Sequence, residues 1–248
     1  MNRDALLAKV RGVEGYLSDD EAWALYRAVC DNAAQAPRVV EIGSYKGKST
    51  IALASALVEK GAGSLVAVDP HAPTGKESYV REHGEQDTYA EFERNVAYAG
   101  VSNYVTSIRA TSRDARKRYD MRPIDVLFID GSHDYDDVLA DIDTWTPLVN
   151  RDGIVAFNDT YVPGVNLAIR ERIASGFLPL SDFRHVNNTL FGRYRSSRRR
   201  SIWLGLYFAV ERMRFKLLKL MLKGLLEALG VIYVRPSTIR SPSWKLLG

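Results

Sequence analysis

Two carboxylates and a histidine stand at the ends of two apolar runs in this sequence. Asp130 closes the first run and is followed three residues later by His133, and Asp159 closes the second, directly after Asn158. Two carboxylates that lie close together at one edge of a sheet repel each other, so they need a cation or a hydrogen-bond donor beside them. Oxygen ligands of this kind suit a hard divalent cation, most simply Mg²⁺. Imidazole titrates near neutral pH and can take a proton from a hydroxyl group. The pattern therefore indicates a divalent-cation site with an imidazole beside it that can accept a proton.

A second group of residues surrounds a glycine-bearing turn closer to the N-terminus. An apolar run over 38–42 breaks at Gly43, and a helical pattern begins after Gly47. A strand that turns sharply into a helix leaves backbone N–H groups that can cradle a ligand. The next apolar run ends at Asp69, where a carboxylate can hold the hydroxyl groups of a ribose. We predict a nucleotide or cofactor site at this turn.

The spacing of the glycines does not fit two common nucleotide motifs. The dinucleotide fingerprint G-x-G-x-x-G would need a glycine in place of Ser44, and the phosphate-binding loop would need one more residue between Gly43 and Gly47. The pattern that remains is E-x-G-x-x-x-G, which begins at Glu41. A turn without any ligand is the alternative interpretation.

Apolar runs and helical periodicities alternate along the first 195 residues, and this alternation predicts an α/β fold. Ser18 to Glu21 forms a capping box that begins a helix, and Pro37 separates this helix from the first strand. Such alternation implies a parallel sheet with right-handed crossovers. Asn187 and Asn188 join two runs that we expect to form an antiparallel hairpin. The predicted architecture is a Rossmann-like, doubly wound, mostly parallel sheet that ends in this hairpin, with strands at 38–42, 64–68, 105–109, 124–129, 153–157, 183–186 and 190–195.

The turn and the acid after the second strand resemble those of class I S-adenosylmethionine-dependent methyltransferases, and the resemblance covers residues 13–195. The cofactor of that family carries no phosphate and so tolerates a wider turn. As an alternative to a cofactor contact, Glu41 can position the turn by accepting its N–H groups. Tyr45 and Ser49 can likewise serve only in packing and capping the start of the helix. The cofactor-binding residues that the resemblance implies are Glu41, Gly43, Tyr45, Ser49, Asp69, Ser112 and Asp130.

The segment Asp130-Gly131-Ser132-His133 resembles metal-dependent O-methyltransferases, and among them the macrolide-sugar enzymes, in which the histidine is the catalytic base. In the catechol type, a lysine occupies the position of His133. The resemblance thus implies a sugar hydroxyl as the acceptor. The chain also resembles, more distantly, the 1-O-methyltransferases that start methylmannose polysaccharides.

The same resemblance implies that Asp130 and Asp159 hold Mg²⁺. The catechol type places an asparagine after its second acid, whereas Thr160 follows Asp159 here and Asn158 precedes it. The third protein ligand is therefore open between Asn158 and Asp134.

Each of these residues also has a purely structural interpretation. His133 could cap the helix predicted from Tyr135, and Asp159 could be an ordinary turn acid. A run of acids in that helix predicts a solvated face outside the site, formed by Asp136, Asp137, Asp141 and Asp143.

The polar segment from Pro70 to Gln86 is long for a connection, which is typical of a lid or binding loop. Gly75 and Gly84 would let it hinge, and we predict that it orders over the acceptor. His71, near its start, is expected to be an exposed loop residue.

The net charge of +4 conceals an uneven distribution. Residues 196–248 hold 11 of the 34 Lys and Arg but only 2 of the 30 Asp and Glu. We therefore divide the chain into a methyltransferase domain with N-terminal helices at 1–195 and a basic amphipathic helical extension at 196–248. Within the extension, four cations at helical spacing leave three options open, namely a membrane-surface helix, a dimerisation arm or a helix packed on the core: Arg212, Lys216, Lys219 and Lys223.

Other features limit the partners and the location. The single cysteine, Cys30, excludes an internal disulfide and fits a reducing compartment. The N-terminus is polar and shows no secretory signal, and the uncharged run Ile202 to Val210 is too short to cross a bilayer. The cluster Arg198 to Arg200 lacks interleaved aromatic residues, so we expect no nucleic acid. We expect a cytoplasmic homo-oligomer, with peripheral contact at the inner membrane surface as an option.

The resemblance as a whole implies a Mg²⁺-dependent O-methyltransferase that uses S-adenosylmethionine to methylate a carbohydrate hydroxyl in an oligosaccharide or glycolipid. One alternative is an O-methyltransferase for a polyphenol or another small alcohol. The other is a non-catalytic membrane-binding or partner-binding protein with a vestigial cofactor fold. Four polar groups kept at strand ends argue against the last option, namely Asp69, Asp130, His133 and Asp159.

Overall fold

The computed structural model describes residues 1–72, 87–120 and 122–195, together with five residues of the extension, Val210, Met213, Leu217, Leu220 and Met221. All five are helical. Most of the lid predicted at 70–86 and nearly all of the extension lie outside the described residues, so both stay predictions. Within the described ranges, no helix combines the length and the hydropathy that crossing a bilayer requires.

Seven strands form one sheet, and the predicted architecture is confirmed. The strands are β1 Arg38–Ile42, β2 Ser64–Asp69, β3 Val105–Arg109, β4 Ile124–Ile129, β5 Val149–Phe157, β6 Leu180–Val186 and β7 Thr189–Tyr194. Their order across the sheet is β3-β2-β1-β4-β5-β7-β6. The first five strands are parallel, and β7 pairs antiparallel with both β5 and β6.

Seven α-helices in the described ranges accompany these strands. They are α1 Arg3–Val10, α2 Asp19–Cys30, α3 Lys48–Lys60, α4 Tyr89–Tyr98, α5 Ser112–Arg118, α6 Tyr135–Trp145 and α7 Pro163–Ala174. The capping box that begins α2 is formed as expected, because Ser18 accepts the Glu21 N–H and the Glu21 carboxylate accepts the Ser18 N–H. Both flanking residues of α3, Gly47 and Gly61, adopt left-handed backbone conformations that suit glycine.

Apolar side chains alternate between the two faces of the sheet and build a hydrophobic core on each. Val39 and Phe128 pack on the face covered by α1 to α4. Val40 and Leu127 pack on the face covered by α5 to α7. Because the central strands are buried on both sides, their sequences are almost continuously apolar.

The chain proceeds from β1 to β2 and β3 on one side, and then returns to β4 on the other side of β1. In open α/β sheets, the crevice beyond the carboxyl ends of strands at such a reversal is where ligands bind. The ends of β1 and β4 therefore define the candidate site.

Two strands begin at least three residues earlier than the apolar pattern predicts. β5 starts at Val149 instead of residue 153, and its pairing with β4 shifts register between Ile124 and Val126. β6 starts at Leu180 instead of residue 183, with a similar shift between Ser181 and Arg184. Polar residues at these irregularities interrupt the apolar run, so hydrophobicity alone does not reveal the first residues of either strand.

Candidate active site

A cavity of about 830 Å³ opens at the carboxyl ends of the central strands. This volume lies within the range of small-molecule sites. The cavity lining contains the turn after β1, the end of β2, the start of α5 and the segments after β4 and β5. Glu41 does not line it, but the other residues predicted for the site do, namely Gly43, Tyr45, Ser49, Asp69, Ser112, Asp130, His133, Asn158 and Asp159.

Gly43 allows the ends of β1 and β4 to meet. Its φ is +87°, and a Cβ atom at this position would lie 2.1 Å from the carbonyl oxygen of Asp130. The Asp130 N–H in turn donates to the carbonyl of Ile42 at 2.8 Å. A side chain at residue 43 would therefore separate the two strand ends that carry the site.

Asp69 shapes the turn through its carboxylate. Oδ2 accepts the N–H groups of Ser44 at 2.9 Å and Tyr45 at 2.8 Å, and Oδ1 accepts the N–H of His71 at 2.7 Å. A carboxylate offers about four acceptor positions, and these bonds use three of them. One position is left for a hydroxyl group of a ligand, as the predicted ribose contact requires.

Glu41 has a different role from the one that the sequence indicates. Its side chain is wholly buried, and Oε2 accepts the hydroxyl of Thr50 in α3 at 2.5 Å. The alternative that Glu41 accepts the N–H groups of the turn is not observed, because Asp69 accepts them instead. Burial raises the pKa of Glu41 to about 7, against the opposing effect of hydrogen bonds from Ser49 and Thr50.

Ser44 is a candidate ligand-binding residue that sequence reasoning missed. The residue is 2 % exposed, lines the cavity, and its hydroxyl has no hydrogen-bond partner among the described residues. A buried hydroxyl without a partner is costly. The signal in the sequence was its place where a second glycine would stand, which marks a close approach to a bound molecule.

The segment 14–17, between α1 and α2, forms an unexpected wall of the same cavity. Glu14 accepts the Tyr45 hydroxyl at 3.1 Å and the ammonium group of Lys46 at 2.7 Å. The Lys46 ammonium also lies 2.7 Å from Glu91. These contacts join the N-terminal part of the chain to the turn, which periodicity alone could not have indicated.

Ser112 and Ser49 both lie in the cavity lining at helix starts. The Ser112 hydroxyl accepts the indole N–H of Trp145 at 2.8 Å, which fixes its orientation. Ser49 is buried and shares a hydrogen bond with Glu41. Cofactor contacts of either serine stay predictions.

Asp130, His133 and Asp159 converge just after the carboxyl ends of β4 and β5. One ligand atom from each lies within 4.8 Å of the others, and all three side chains are partly buried. His133 Nε2 lies 2.8 Å from Asp159 Oδ2. Burial, followed by the charge of Asp159, raises the pKa of Asp130 well above its usual value. Two carboxylates and an imidazole in this arrangement can hold a divalent cation or orient one another.

Asn158 lines the cavity, and its side chain is also hydrogen-bonded to two other residues. Its Oδ1 accepts the hydroxyl of Thr189 at 2.7 Å, and its side chain also hydrogen-bonds Asp130. Asp134, the other candidate for a third metal ligand, precedes α6 and does not line the cavity. In the geometry observed, His133 is the third group beside the two carboxylates.

The structural alternatives for His133 and Asp159 do not describe their side chains. Asp134, rather than His133, is the N-cap residue of α6. The backbone carbonyl of Asp159 accepts the Val162 N–H at 2.9 Å, while its carboxylate contacts His133. Asp159 has a φ of +51°, a strained conformation that often accompanies functional positions.

The predicted solvated face of α6 is wrong in part. Asp141 is 6 % exposed and, with Asp137, lines the cavity. Asp143 instead pairs with Arg172 at 2.6 Å. The residues at 137 and 141 are one helical turn apart, so both face the cavity once the start of α6 lies at its edge.

The prediction that His71 is an exposed loop residue is also wrong, because its side chain is fully buried. Its Nδ1 lies 3.0 Å from the Thr88 hydroxyl, and its ring contacts those of Tyr89 and Phe92. Burial lowers the pKa of this imidazole, which favours the neutral ring. His71 joins the two ends of the loop that begins at Pro70.

Comparisons with known proteins show similarity over part of the chain. The uncharacterized protein y4gI of Sinorhizobium fredii is 30% identical over 135 residues, which make up 50% of this chain and 13% of that protein. The uncharacterized protein R132 of Acanthamoeba polyphaga mimivirus is 27% identical over 152 residues, 56% of this chain and 62% of that protein. The chain therefore spans less than two thirds of either curated relative.

A solved structure with a similar fold is the O-methyltransferase TomG of Streptomyces achromogenes, which takes part in tomaymycin synthesis and was crystallised with S-adenosylmethionine. The TM-score is 0.59 at 17% identity, over 79% of this chain and 92% of TomG. An identity this low shows a shared fold alone. Residues 40–160 match a family model described as a methyltransferase domain. The chain thus has a Rossmann-like fold, and its residues 40–160 are similar to a methyltransferase domain.

Proposed function

We propose that this protein is a Mg²⁺-dependent O-methyltransferase that transfers a methyl group from S-adenosylmethionine to a carbohydrate hydroxyl. The observation that supports this most is the convergence of Asp130, His133 and Asp159 in the cavity that also contains the glycine turn. Methyl transfer to oxygen needs a methyl donor, a deprotonated hydroxyl and their alignment. The residues of this cavity fit each requirement.

The turn side of the cavity fits S-adenosylmethionine. The unpartnered Ser44 hydroxyl and the remaining acceptor position of Asp69 offer a donor and an acceptor to a polar ligand. When bound, this cofactor supplies an electrophilic methyl group. The turn would hold it, and fixing the orientation of the methyl donor in advance lowers the barrier to transfer.

The part of the cavity that follows β4 and β5 fits a divalent cation held by Asp130 and Asp159. The raised pKa of Asp130 reflects the cost of keeping two carboxylates close in a partly buried place, and a cation offsets that cost. When bound, the cation supplies positive charge that favours loss of a proton from a nearby hydroxyl.

His133 is the proposed general base. A neutral imidazole whose Nε2–H donates to Asp159 presents Nδ1 as its proton-accepting nitrogen. Asp159 thereby selects the tautomer and stabilises the imidazolium that forms when the proton arrives. Each turnover would move one proton from the acceptor hydroxyl to His133 and then to solvent, while the oxygen gains the methyl group and S-adenosylhomocysteine is left.

The carbohydrate assignment is supported by the Asp-Gly-Ser-His segment, which resembles macrolide-sugar enzymes, and by the histidine in place of a catechol-type lysine. The test is transfer of a labelled methyl group from S-adenosylmethionine to a panel of glycans and polyphenols, with and without chelator. We expect labelled glycan that disappears with chelator and returns with Mg²⁺. Methylation of polyphenols alone would refute the carbohydrate acceptor. If calorimetry detects no binding of S-adenosylmethionine, the proposed methyltransferase activity is refuted.

A further inference from the structure

Two exposed tyrosines lie on the rim of the cavity, outside the catalytic machinery described above. Tyr16 is 79 % exposed and Tyr161 is 67 % exposed, and both line the cavity. Tyr16 belongs to the wall at 14–17, and Tyr161 follows the loop that carries Asp159. Two large aromatic side chains so close to a polar site suggest contact with a ligand that has an apolar face.

The rim that presents these rings is held by hydrogen bonds to the turn between β6 and β7. Asn187 donates its side-chain N–H to the Ser18 hydroxyl at 2.9 Å. The carbonyl of Asn188 accepts the N–H and the hydroxyl of Thr160, at 3.1 and 2.9 Å. The segments that carry Tyr16 and Tyr161 are therefore both fastened to one hairpin turn, and Asn188 itself lines the cavity.

Tyr161 is also connected with the reacting groups. Its side chain hydrogen-bonds Asp159, whose carboxylate lies 2.8 Å from His133. A molecule that packs on the Tyr161 ring thus lies beside the proposed base. The rim and the site of proton removal are continuous.

We propose that Tyr16 and Tyr161 form an aromatic platform that binds the sugar ring of the acceptor, an inference that rests on the proposed function. A pyranose ring has an apolar face of C–H groups and a perimeter of hydroxyls. The C–H face packs on an aromatic ring, while the hydroxyls reach polar groups at the edge. Here the edge groups are those of Asn188, which lines the cavity, and the carboxylate of Asp159. The platform would select acceptors by the shape of a ring face and direct one hydroxyl toward His133.

The experiment measures acceptor binding separately from catalysis. Full-length protein saturated with S-adenosylhomocysteine is applied to a printed array of neutral oligosaccharides and glycolipid headgroups, and bound glycans are then titrated in solution. The variants are Tyr16→Ala, Tyr161→Ala and the double variant, with Tyr16→Phe as the ring-preserving control. Tyr98→Ala is the matched control, because Tyr98 is 95 % exposed and does not line the cavity.

Each alanine variant should weaken glycan binding about three- to tenfold, with a larger loss in the double variant. Tyr16→Phe and Tyr98→Ala should bind glycan normally, and affinity for S-adenosylhomocysteine should stay within about twofold in every variant. Glycan binding that is unchanged in the double variant, or absent from the wild-type protein, would overturn the platform. Tyrosine-dependent glycan binding without any methyl transfer would keep the platform and instead overturn the proposed function.

Discussion

Nε2 of His133 lies 2.8 Å from Oδ2 of Asp159, although the two residues follow different strands. The contact exists because β4 and β5 are parallel neighbours whose carboxyl ends meet at one edge. Asp159 is thereby near both the imidazole and the Asp130 carboxylate. Every step of the proposed chemistry depends on this arrangement.

Replacing His133 by alanine should abolish proton removal while leaving the cofactor turn intact. We expect kcat to fall about 10²- to 10⁴-fold, the usual contribution of a general base. Affinity for S-adenosylmethionine, measured by calorimetry, should change by less than about twofold. Full turnover in His133→Ala would exclude the histidine from the mechanism.

The role of Gly43 in joining β1 to β4 predicts a large loss of stability on substitution. Gly43→Ala should destabilise the fold by several kcal/mol, because the strained φ adds to a Cβ contact of 2.1 Å with backbone. Gly61→Ala is the matched control, since Gly61 has a φ of +66° but nothing within 4 Å of its Cβ position. Gly61→Ala should lower the free energy of unfolding by only about 1 kcal/mol. Equal urea midpoints for the two variants would contradict this account of Gly43.

The raised pKa of buried Glu41 predicts a pH-dependent stability. Its folded-state pKa of about 7 exceeds the ordinary 4.5, so the folded protein binds the extra proton between these values. Stability should therefore fall as pH rises from about 4.5 to 7, and Glu41→Gln should lack this part of the loss. Relative to wild type, the variant should gain up to about 3 kcal/mol across this range. Parallel curves of unfolding free energy against pH would show that Glu41 ionises normally in the folded state.

The extension offers a prediction about membranes. Val210, Met213, Leu217 and Leu220 are helical, exposed and spaced as one face of a helix, and residues 196–248 carry a large excess of Lys and Arg. We expect full-length protein to sediment with vesicles containing phosphatidylglycerol, less so at high salt, and not with pure phosphatidylcholine. Leu217→Asp combined with Leu220→Asp should weaken this binding. Sedimentation that is independent of vesicle composition and of these substitutions would contradict a membrane-surface role.

The sequence could predict those features of the fold and of the site that leave a local pattern in it. Alternation of apolar runs indicated the sheet, and the Ser18 capping box fixed the start of α2. Strand ends identified Asp130 and Asp159 because parallel strands deliver their ends to one edge. The positions of Asp141 and His71 could not be predicted in this way, since their burial depends on how helices and loops pack around the cavity.

The same limit explains the other residues found only in the structure. Glu14, Tyr16 and Tyr161 are brought to the cavity by contacts between segments far apart in the chain, such as the bonds from Asn188 to Thr160. The register shifts in β5 and β6 also could not be predicted from hydrophobic periodicity, because polar residues occupy these positions. Contacts between segments far apart in the chain leave no regular spacing in the sequence.

A divalent cation shared by Asp130 and Asp159 can be tested without any knowledge of the acceptor, by direct titration with Mn²⁺ followed by electron paramagnetic resonance. We predict one bound Mn²⁺ per chain that Mg²⁺ displaces, and loss of this binding in Asp130→Asn with Asp159→Asn. Asp137→Asn, which alters an acid of the same cavity outside the group of three, should bind Mn²⁺ normally. Equal Mn²⁺ binding by the double variant and the wild-type protein, or none by either, would rule out a cation shared by these two carboxylates.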